Sequence, residues 1–321
     1  MQKPVIVNNI NLRKNYPIIT KYFNLSRIEN NSLPKKNNLV VSKKFVDFIE
    51  CPVCYIKSLK DKELFIVDGF RHVMCFNCSH VYVQNPLKEK ILLEKYKSSE
   101  ADRAYMQRMQ TPFIKKYNTL LYKKYLRIFK QNGLKKGDIL EIGCGRGDFL
   151  KFLKLQRSYT LYASEFIKSS KKLITKIIGE QNFFYQVEVK DLKFQNSIDL
   201  IILWGVIEHV RKPVEFLKLC NKFLKNKGMV FVLAPNLFSR AFEILGVNTP
   251  TINPRVHLNF FSRKSFSKMA SKSGFLVKGI YQELPIIDLM YPFISNVQNE
   301  MSDILKKDKS YYRAYLIQKK S

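Results

Sequence analysis

Three glycines at every second position form a turn that could hold a ligand against the main chain. The turn contains Gly143, Gly145 and Gly147, and Glu141 precedes it in the pattern Glu-x-Gly-x-Gly-x-Gly. Glycine reaches positive φ without strain and leaves main-chain N–H groups open to a ligand. Asp148 stands where the dinucleotide pattern G-x-G-x-x-G requires its third glycine, which argues against NAD. A carboxylate beside the turn would repel a pyrophosphate, so the turn suits a cofactor that carries an ammonium and a sulfonium.

Acidic side chains follow the next two predicted strands. A strand over 159–163 leads to Glu165, where a carboxylate can accept hydrogen bonds from both hydroxyls of a ribose. A third strand, over 183–187, is followed by Glu188 and Asp191, and either could accept a hydrogen bond from the amino group of an adenine. The sequence leaves the choice between these two acids open.

A fourth apolar strand, over 198–204, opens onto Glu208 and His209. In an open α/β sheet, ligands lie beyond the carboxyl ends of the strands, so these two side chains are candidate catalytic residues. His209 is the candidate base, because an imidazole can take a proton near neutral pH. It could alternatively only pack against the loop or orient it. His257 is a weaker alternative base.

The elements that must position these residues alternate between strand and helix from residue 138 onward. This alternation predicts an α/β fold with a mainly parallel sheet and helices on both faces. The motifs that matter for family membership are 141–147, Glu165, 198–210, Pro235-Asn236 and 257–262. Their order resembles class I S-adenosylmethionine-dependent methyltransferases. The resemblance implies S-adenosylmethionine as the cofactor and a Rossmann-like core of seven strands in the order 3-2-1-4-5-7-6, with the sixth strand at 275–281 and the last at 312–318.

Four cysteines occur as two C-x-x-C pairs: Cys51, Cys54, Cys75 and Cys78. Two such pairs can complete a tetrahedral zinc shell, with a tight turn at each pair and a hairpin between them. Four thiolates leave no position for water or substrate, so the zinc would be structural and would stabilise a small ribbon that has little core of its own. The alternatives are a redox dithiol or disulfides, although a redox motif needs only one pair.

Neighbouring residues bear on the geometry of this ribbon. The glycine that often follows each cysteine pair is absent, because Tyr55 and Ser79 occupy those positions. His72 and His80 could replace a cysteine as ligands, but hydrogen-bonded imidazoles at the surface are the simpler expectation. The remaining two cysteines have no partner at close spacing, which fits small apolar residues in a reducing compartment.

The chain is strongly basic, with a formal net charge of +30 over 321 residues. Together with a zinc ribbon, this charge favours a nucleic-acid partner. However, the 43 lysines far outnumber the 13 arginines and are scattered, whereas phosphate and base contacts favour clustered arginine. Basic pairs such as Lys115-Lys116 and Lys123-Lys124 precede the core, which leaves an anionic partner on that side open.

The sequence indicates a basic extension over 1–45, a zinc ribbon over 46–90 and a helical linker or lid over 91–132. The resemblance implies the methyltransferase core over 133–321, with an insertion at 284–308. The acid-poor extension would also fit a transit peptide, although Ser, Ala and Arg are scarce there. Aromatic residues at helical spacing in the linker are expected to lie in the core. No apolar run reaches the roughly 20 residues that span a bilayer, so we expect no membrane span and a cytoplasmic location. Nothing indicates the oligomeric state.

A cysteine ribbon followed by this core resembles bacterial small-molecule methyltransferases, including those that act on nucleotide-linked sugars and surface glycans. The resemblance implies methyl transfer to a small-molecule acceptor, with a sugar or glycan precursor expected first. Gly205 replaces the Asp usual in that family before Val-Ile-Glu-His. The alternatives are an RNA methyltransferase that grips RNA with the ribbon and the basic N-terminal half, or a non-catalytic zinc-ribbon adaptor. Intact Glu141, Gly143, Gly145 and Glu165 argue for an active enzyme.

Overall fold

The structure is a computed structural model. It describes residues 21, 24–35, 40–57, 60–92, 100, 103–104, 107, 109–284 and 297–320. The predicted basic extension therefore lies largely outside the described residues. The same holds for residues 285–296, which form the first half of the predicted insertion.

The described residues form two sheets. The smaller sheet contains β1 (Lys62–Val67), β2 (Phe70–Met74), β3 (Val81–Val83) and β9 (Asn259–Phe260), in the order β1-β2-β3-β9. The larger sheet contains β4 (Gly137–Ile142), β5 (Tyr159–Glu165), β6 (Phe183–Tyr185), β7 (Ile198–Trp204), β8 (Leu224–Pro235), β10 (Phe275–Glu283) and β11 (Tyr312–Lys319). Its order is β6-β5-β4-β7-β8-β11-β10, which confirms the predicted order 3-2-1-4-5-7-6 of the methyltransferase core.

The helices follow the strands as the alternating pattern predicts. They are α1 (Pro112–Gln131), α2 (Asp148–Lys154), α3 (Lys171–Ile178), α4 (Pro213–Phe223), α5 (Arg240–Leu245), α6 (Arg263–Lys272) and α7 (Val297–Lys306). Local sequence sets several of their ends. Pro213 starts α4, where a missing N–H costs nothing, and Gly179 ends α3 with a positive φ of 87°. Among the described helices, none is both long and apolar enough to cross a lipid bilayer.

Apolar strands at the centre of the larger sheet form its core. Strand β4 pairs in parallel with β5 on one side and with β7 on the other. Leu140 and the run 200–203 are fully buried, as expected for parallel strands that are covered on both faces. On α1, Tyr125 and Phe129 pack against Phe231 of β8, with ring centroids 4.5 and 5.3 Å away. These aromatic side chains of the predicted linker therefore lie in the core.

The chain divides into two compact units. The first contains the described parts of Met1–Asn118, Pro235–Ser265 and Gln282–Arg313, and the second contains those of Thr119–Ala234, Phe266–Tyr281 and Ala314–Ser321. The smaller sheet belongs wholly to the first unit, since β9 pairs antiparallel with β3 through Val81–Phe260 and Tyr82–Asn259. The linear boundaries at residues 45, 90 and 132 remain a prediction, and the contacts group the later segments 235–265 and 282–313 with the ribbon.

A buried polar network in the first unit anchors the loop that follows β8. The amide nitrogen of Asn236 donates to the carbonyl oxygen of Ser310 at 2.8 Å, and Arg313 donates to the Asn236 Oδ1 at 2.9 Å. Arg313 also donates to a carboxylate oxygen of Asp308 at 2.8 Å. Both Asn236 and Arg313 are buried, so these bonds satisfy polar groups that would otherwise carry a desolvation penalty.

Candidate active site and metal centre

The glycine turn after β4 has the geometry that its sequence predicts. Gly143, Gly145 and Gly147 have φ values of 67°, 55° and 72°. A Cβ on Gly143 would lie 2.8 Å from a methyl group of Val206, so packing requires glycine there. A Cβ on Gly145 would meet no atom within 4 Å. The turn is therefore closed on the side of Gly143 and open at Gly145, where a ligand can approach the main chain.

Glu165, at the end of β5, is bonded to this turn. Its Oε2 accepts the N–H of Gly145 at 2.6 Å. Its Oε1 accepts the N–H groups of Phe166 and Ile167 at 2.7 and 3.1 Å. Burial raises the pKa of this carboxyl, while the three N–H donors act in the opposite direction. The structure thus brings two of the predicted cofactor residues, Glu165 and Gly145, into direct contact.

Glu141 is the least compensated acid beside the turn. It is buried, and its Oε2 has no hydrogen-bond partner among the described residues. Burial raises its pKa to about 8, and the charges of Glu165 and Asp148 add to this shift. A cationic ligand at the turn would relieve both effects, because it would pair with a buried carboxylate and offset its repulsion from the other acids. The acidic side chains beside the turn therefore fit a cofactor that carries positive charge.

The two candidate adenine acceptors lie at the surface. Glu188 precedes a short 3₁₀ turn, Val189–Asp191, and its side chain forms an ion pair with Lys190 at 2.6 Å. Asp191 is also exposed. Among the described residues, the only ion pair of Glu188 is with Lys190, so the geometry does not favour either acid as the adenine acceptor. Phe166, directly after Glu165, is an aromatic residue that the sequence did not single out, and it is 45% exposed.

Glu208 and His209 lie on a 3₁₀ turn, Ile207–His209, after β7. Glu208 is buried, its Oε2 has no hydrogen-bond partner among the described residues, and burial raises its pKa to about 8. Gly205 has a φ of 69°, and a Cβ there would lie 3.7 Å from the Glu208 Oε1. His209 is only half-buried, and its N–H donates to the carbonyl of Val206 at 2.9 Å. Of the two candidate catalytic residues, Glu208 is therefore the more buried, whereas His209 remains the candidate base from the sequence.

His257, the weaker alternative base, belongs to the first unit. Its Nδ1 is 2.7 Å from the carbonyl oxygen of Thr251. Burial lowers the pKa of this imidazole, which favours its neutral form.

The four cysteines of the ribbon form a compact cluster. Cys51 and Cys78 have their sulfurs 3.5 Å apart, and so have Cys54 and Cys75. All four side chains are buried, and their sulfurs lie within 4.8 Å of one another. A tetrahedral zinc with sulfurs at about 2.3 Å needs sulfur–sulfur distances of about 3.8 Å. The cluster fits such an ion, which would also neutralise thiolates that would repel one another at this distance.

In both turns of the ribbon, the residue after the second cysteine of the C-x-x-C pair has a left-handed backbone conformation. Tyr55 and Ser79 have φ values of 60° and 56°. Their N–H groups donate to the carbonyls of Cys51 and Cys75, each at 2.9 Å. The two turns therefore form without glycine, although Tyr55 and Ser79 hold a backbone conformation that is strained for L-residues.

We expect Ser79→Gly to stabilise the zinc-loaded protein by about 1 kcal/mol, because glycine removes the strain of a left-handed residue. Denaturant unfolding with excess zinc measures this change. The matched control is Ser302→Gly, since Ser302 is exposed within α7, where glycine costs up to about 1 kcal/mol. Opposite signs for the two variants support the strained turn, and destabilisation by both contradicts it.

The expectation for the two ribbon histidines was wrong, because both are fully buried. His72 lies near the rings of Phe65 and Phe260, with centroids 4.6 and 5.9 Å away. Burial lowers its pKa to about 3, so the ring is neutral. The Nε2 of His80 is 3.0 Å from the Oδ1 of Asn259 in β9. Neither histidine is at the surface, because His72 lies on β2 among aromatic rings and His80 contacts β9.

Comparison with known proteins matches this chain to one protein family and to several curated relatives. A family model described as a methyltransferase domain matches residues 113–278, just over half of the chain. A ubiquinone biosynthesis O-methyltransferase of Rickettsia canadensis is 27% identical over 119 residues, covering 36% of this chain and 50% of that protein. Its counterpart in Glaesserella parasuis is 25% identical over 126 residues, covering 36% of this chain and 52% of that protein.

Similarity to solved structures is more distant. A SAM-dependent methyltransferase from Archaeoglobus fulgidus is 21% identical, with a TM-score of 0.44, and the match covers 62% of this chain and 93% of that one. The chain spans about half the length of the curated relatives it matches. The family model covers the glycine turn, Glu165 and the turn at Glu208. On the match to the family model, the chain belongs to the methyltransferase domain family.

Proposed function

We propose that this enzyme methylates a hydroxyl group of a small molecule and that Glu208 accepts the hydroxyl proton. The observation that carries this proposal is the carboxyl of Glu208, which is buried beside Gly205. Its Oε2 has no hydrogen-bond partner among the described residues, and burial raises its pKa to about 8. A carboxyl with a pKa near neutrality can release and accept protons at working pH. Its place after the carboxyl end of β7 is where ligands bind in open α/β sheets.

The residues beside the glycine turn would hold the cofactor. S-adenosylmethionine supplies, when bound, a methyl group that its sulfonium already activates. We assign Glu141 to its ammonium group and Glu165 to its ribose hydroxyls, with the main chain around Gly143, Gly145 and Gly147 against the rest. The charge of this site supports the assignment. In a protein of net charge +30, three acids meet at the turn, Glu141, Glu165 and Asp148.

Proton transfer and positioning are the tasks left to the residues near Glu208. Glu208 would take the proton from the acceptor hydroxyl, and the half-buried His209 would orient the acceptor or take the proton in its place. Gly205 has no side chain to cover the Glu208 carboxyl. An acceptor group could therefore approach this carboxyl across Gly205.

For the acceptor class, we propose a sugar, either nucleotide-linked or part of a surface-glycan precursor. The support is the combination of a four-cysteine ribbon with this core, which resembles sugar methyltransferases. The names of the curated relatives, as O-methyltransferases, favour a hydroxyl as the acceptor atom. We assign the zinc a structural role, since four buried cysteines leave no open ligand position.

The test of this function is transfer of a labelled methyl group from S-adenosylmethionine. The full-length, zinc-loaded protein is incubated with deoxysugar nucleotides, with phenolic small molecules and with total RNA, at about 150 mM salt to screen nonspecific charge effects. Labelling of a sugar hydroxyl supports the proposal. Labelling of phenols alone replaces the sugar class while it keeps the hydroxyl chemistry. Labelling of RNA alone overturns the small-molecule function.

Cofactor binding gives a separate prediction for Glu165. We expect Glu165→Ala to weaken S-adenosylmethionine about 10- to 150-fold, because hydrogen bonds to a charged group contribute about 1.5–3 kcal/mol. Isothermal titration calorimetry measures this loss. Glu180→Ala is the matched control, since Glu180 is an exposed acid in the same unit. Equal affinity in the two variants would refute the role of Glu165.

A further inference from the structure

An open groove in the second unit has a positively charged rim and an apolar floor. Its volume is about 510 Å³. The side chains that line it include Lys123, Leu126, Arg127, Lys130, Phe152 and Gln156. The first four lie on α1, Phe152 lies on α2, and Gln156 lies two residues after the end of α2. No step of the proposed methyl transfer uses this groove.

The cations of the rim share one face of α1. Lys123, Arg127 and Lys130 are spaced by four and three residues, which places them one above another on a helix. All three are exposed, and none of their side chains has an ion pair or hydrogen bond among the described residues. The sequence of α1 contains no acidic residue that could neutralise them. Three adjacent cations without counterions create a positive potential that an anionic partner would relieve.

The floor and its border are apolar. Leu126 is buried in the floor, and Phe152 packs against Tyr122 and Phe149 with ring centroids 5.7 and 6.1 Å away. Leu155 directly precedes Gln156 at the edge of the groove, and its side chain is 74% exposed. A leucine held in water beside a cationic rim is an amphipathic arrangement, with apolar and charged groups on one surface.

We propose that this face binds an anionic phospholipid membrane. The cations Lys123, Arg127 and Lys130 would contact lipid phosphates, and Leu155 would insert at the boundary between headgroups and acyl chains. The long lysine and arginine stems suit this geometry, because they can lie along apolar surface while their charges reach the headgroups. The enzyme would then be held at a membrane surface without a membrane-spanning segment.

The composition of the groove favours lipid over RNA. Proteins that bind single-stranded nucleic acid use exposed aromatic rings on which bases stack. The aromatic side chain in this groove, Phe152, already packs against two other rings, and the exposed apolar residue at its edge is the aliphatic Leu155. Phosphate recognition in nucleic acids also favours the bidentate arginine fork, whereas two of the three cations here are lysines.

Co-sedimentation of the full-length, zinc-loaded protein with vesicles tests this proposal. The vesicles contain phosphatidylcholine alone, or phosphatidylcholine with about a third phosphatidylglycerol. We expect binding to the anionic vesicles only. The triple variant Lys123→Gln, Arg127→Gln, Lys130→Gln is expected to lose about a hundredfold in affinity, because each cation near an anionic surface contributes about a factor of five.

Two further variants distinguish binding through this face from a general effect of the protein's net charge. Lys172→Gln, Lys193→Gln, Lys222→Gln removes three exposed cations elsewhere in the same unit and should bind within about threefold of wild type. Leu155→Ser keeps every charge and should weaken binding at high salt, where the apolar contribution remains. Equal losses in both triple variants would overturn the proposal. Binding to polyuridylic acid that competes with vesicles and is lost in the first triple variant alone would assign the face to RNA instead.

Discussion

Replacement of Glu208 by glutamine is expected to lower kcat by about 100- to 10 000-fold, because a positioned general base contributes about that factor. Glutamine has nearly the same shape as glutamate but cannot accept the proton. Labelled-methyl transfer into the acceptor identified by the substrate panel measures the change. Glu215→Gln is the matched control, since Glu215 is an exposed acid on α4 that forms a surface ion pair with Lys218.

The pH dependence separates a base from a residue that only supports the fold. Burial raises the pKa of Glu208 to about 8, so its basic form grows as the pH rises through 8. The wild-type kcat/KM should therefore rise between pH 6 and pH 9, whereas the Glu208→Gln variant should lack this rise. If the variant keeps the rise and His209→Gln removes it, the base is His209 and the assignment to Glu208 is wrong.

The same shift has a consequence for stability with the opposite sign to activity. A carboxyl whose pKa is higher in the folded state than in the unfolded state contributes stability at low pH. That contribution is lost as the pH rises from the unfolded value near 4.5 through the folded value near 8. Glu208→Gln carries no such charge, so its free energy of unfolding should exceed that of wild type at pH 9. A variant that is both inactive and unstable at pH 9 would point to a structural role.

Replacement of Cys51 and Cys78 by serine is expected to abolish zinc binding and to unfold the smaller sheet. Zinc binding to four-cysteine sites is worth about 10–16 kcal/mol, and in small ribbons this energy is folding energy. Elemental analysis should find one zinc per wild-type chain and none in the double variant. Hydrogen exchange should show loss of protection in β1, β2 and β3.

The control for this experiment is Cys220→Ala. Cys220 is as buried as the ribbon cysteines, but it lies on α4 in the second unit and has no other cysteine in its C-x-x-C register. This variant should keep its zinc and the protection of the ribbon strands. Zinc content that is unchanged by the double serine variant would exclude the four-cysteine site. A protein that lacks zinc but keeps full protection of the strands would show that the ribbon folds without metal.

The larger sheet could be predicted because its signals are local. Each parallel strand has a continuous apolar run, and each turn has its own glycine or acid, so the strands 137–142, 159–165 and 198–204 can be recognised along the chain. Their order within the sheet was implied by the family resemblance. The clustering of the four cysteines was predicted in the same way, since the spacing of two C-x-x-C pairs fits a shared metal shell. Contacts between segments that are distant in sequence could not be predicted from local patterns. Burial of His80 depends on Asn259, which is 179 residues away and has no sequence feature that names its partner.

The candidate site divides in the same way. The sequence identified Glu141, Glu165 and Glu208 by type and spacing. It could not rank Glu208 above His209, because the ranking depends on burial, and burial comes from packing that no local pattern encodes. Likewise, the two acids after β6, Glu188 and Asp191, look equivalent in sequence, and both are exposed in the structure.

The pairing of β3 with β9 affects how this protein is made. During synthesis, the cysteine pairs and the β1–β2 hairpin emerge well before β9. The strand that completes their sheet, Asn259–Phe260, leaves the ribosome only after the central strands of the other sheet. At a translation rate of about 5–20 residues per second, this interval lasts roughly 10–35 s. Throughout that time β3 is an open edge, with unpaired main-chain groups that can pair with another nascent chain. Yield in a heterologous host should therefore depend on translation speed and chaperone supply as well as on zinc.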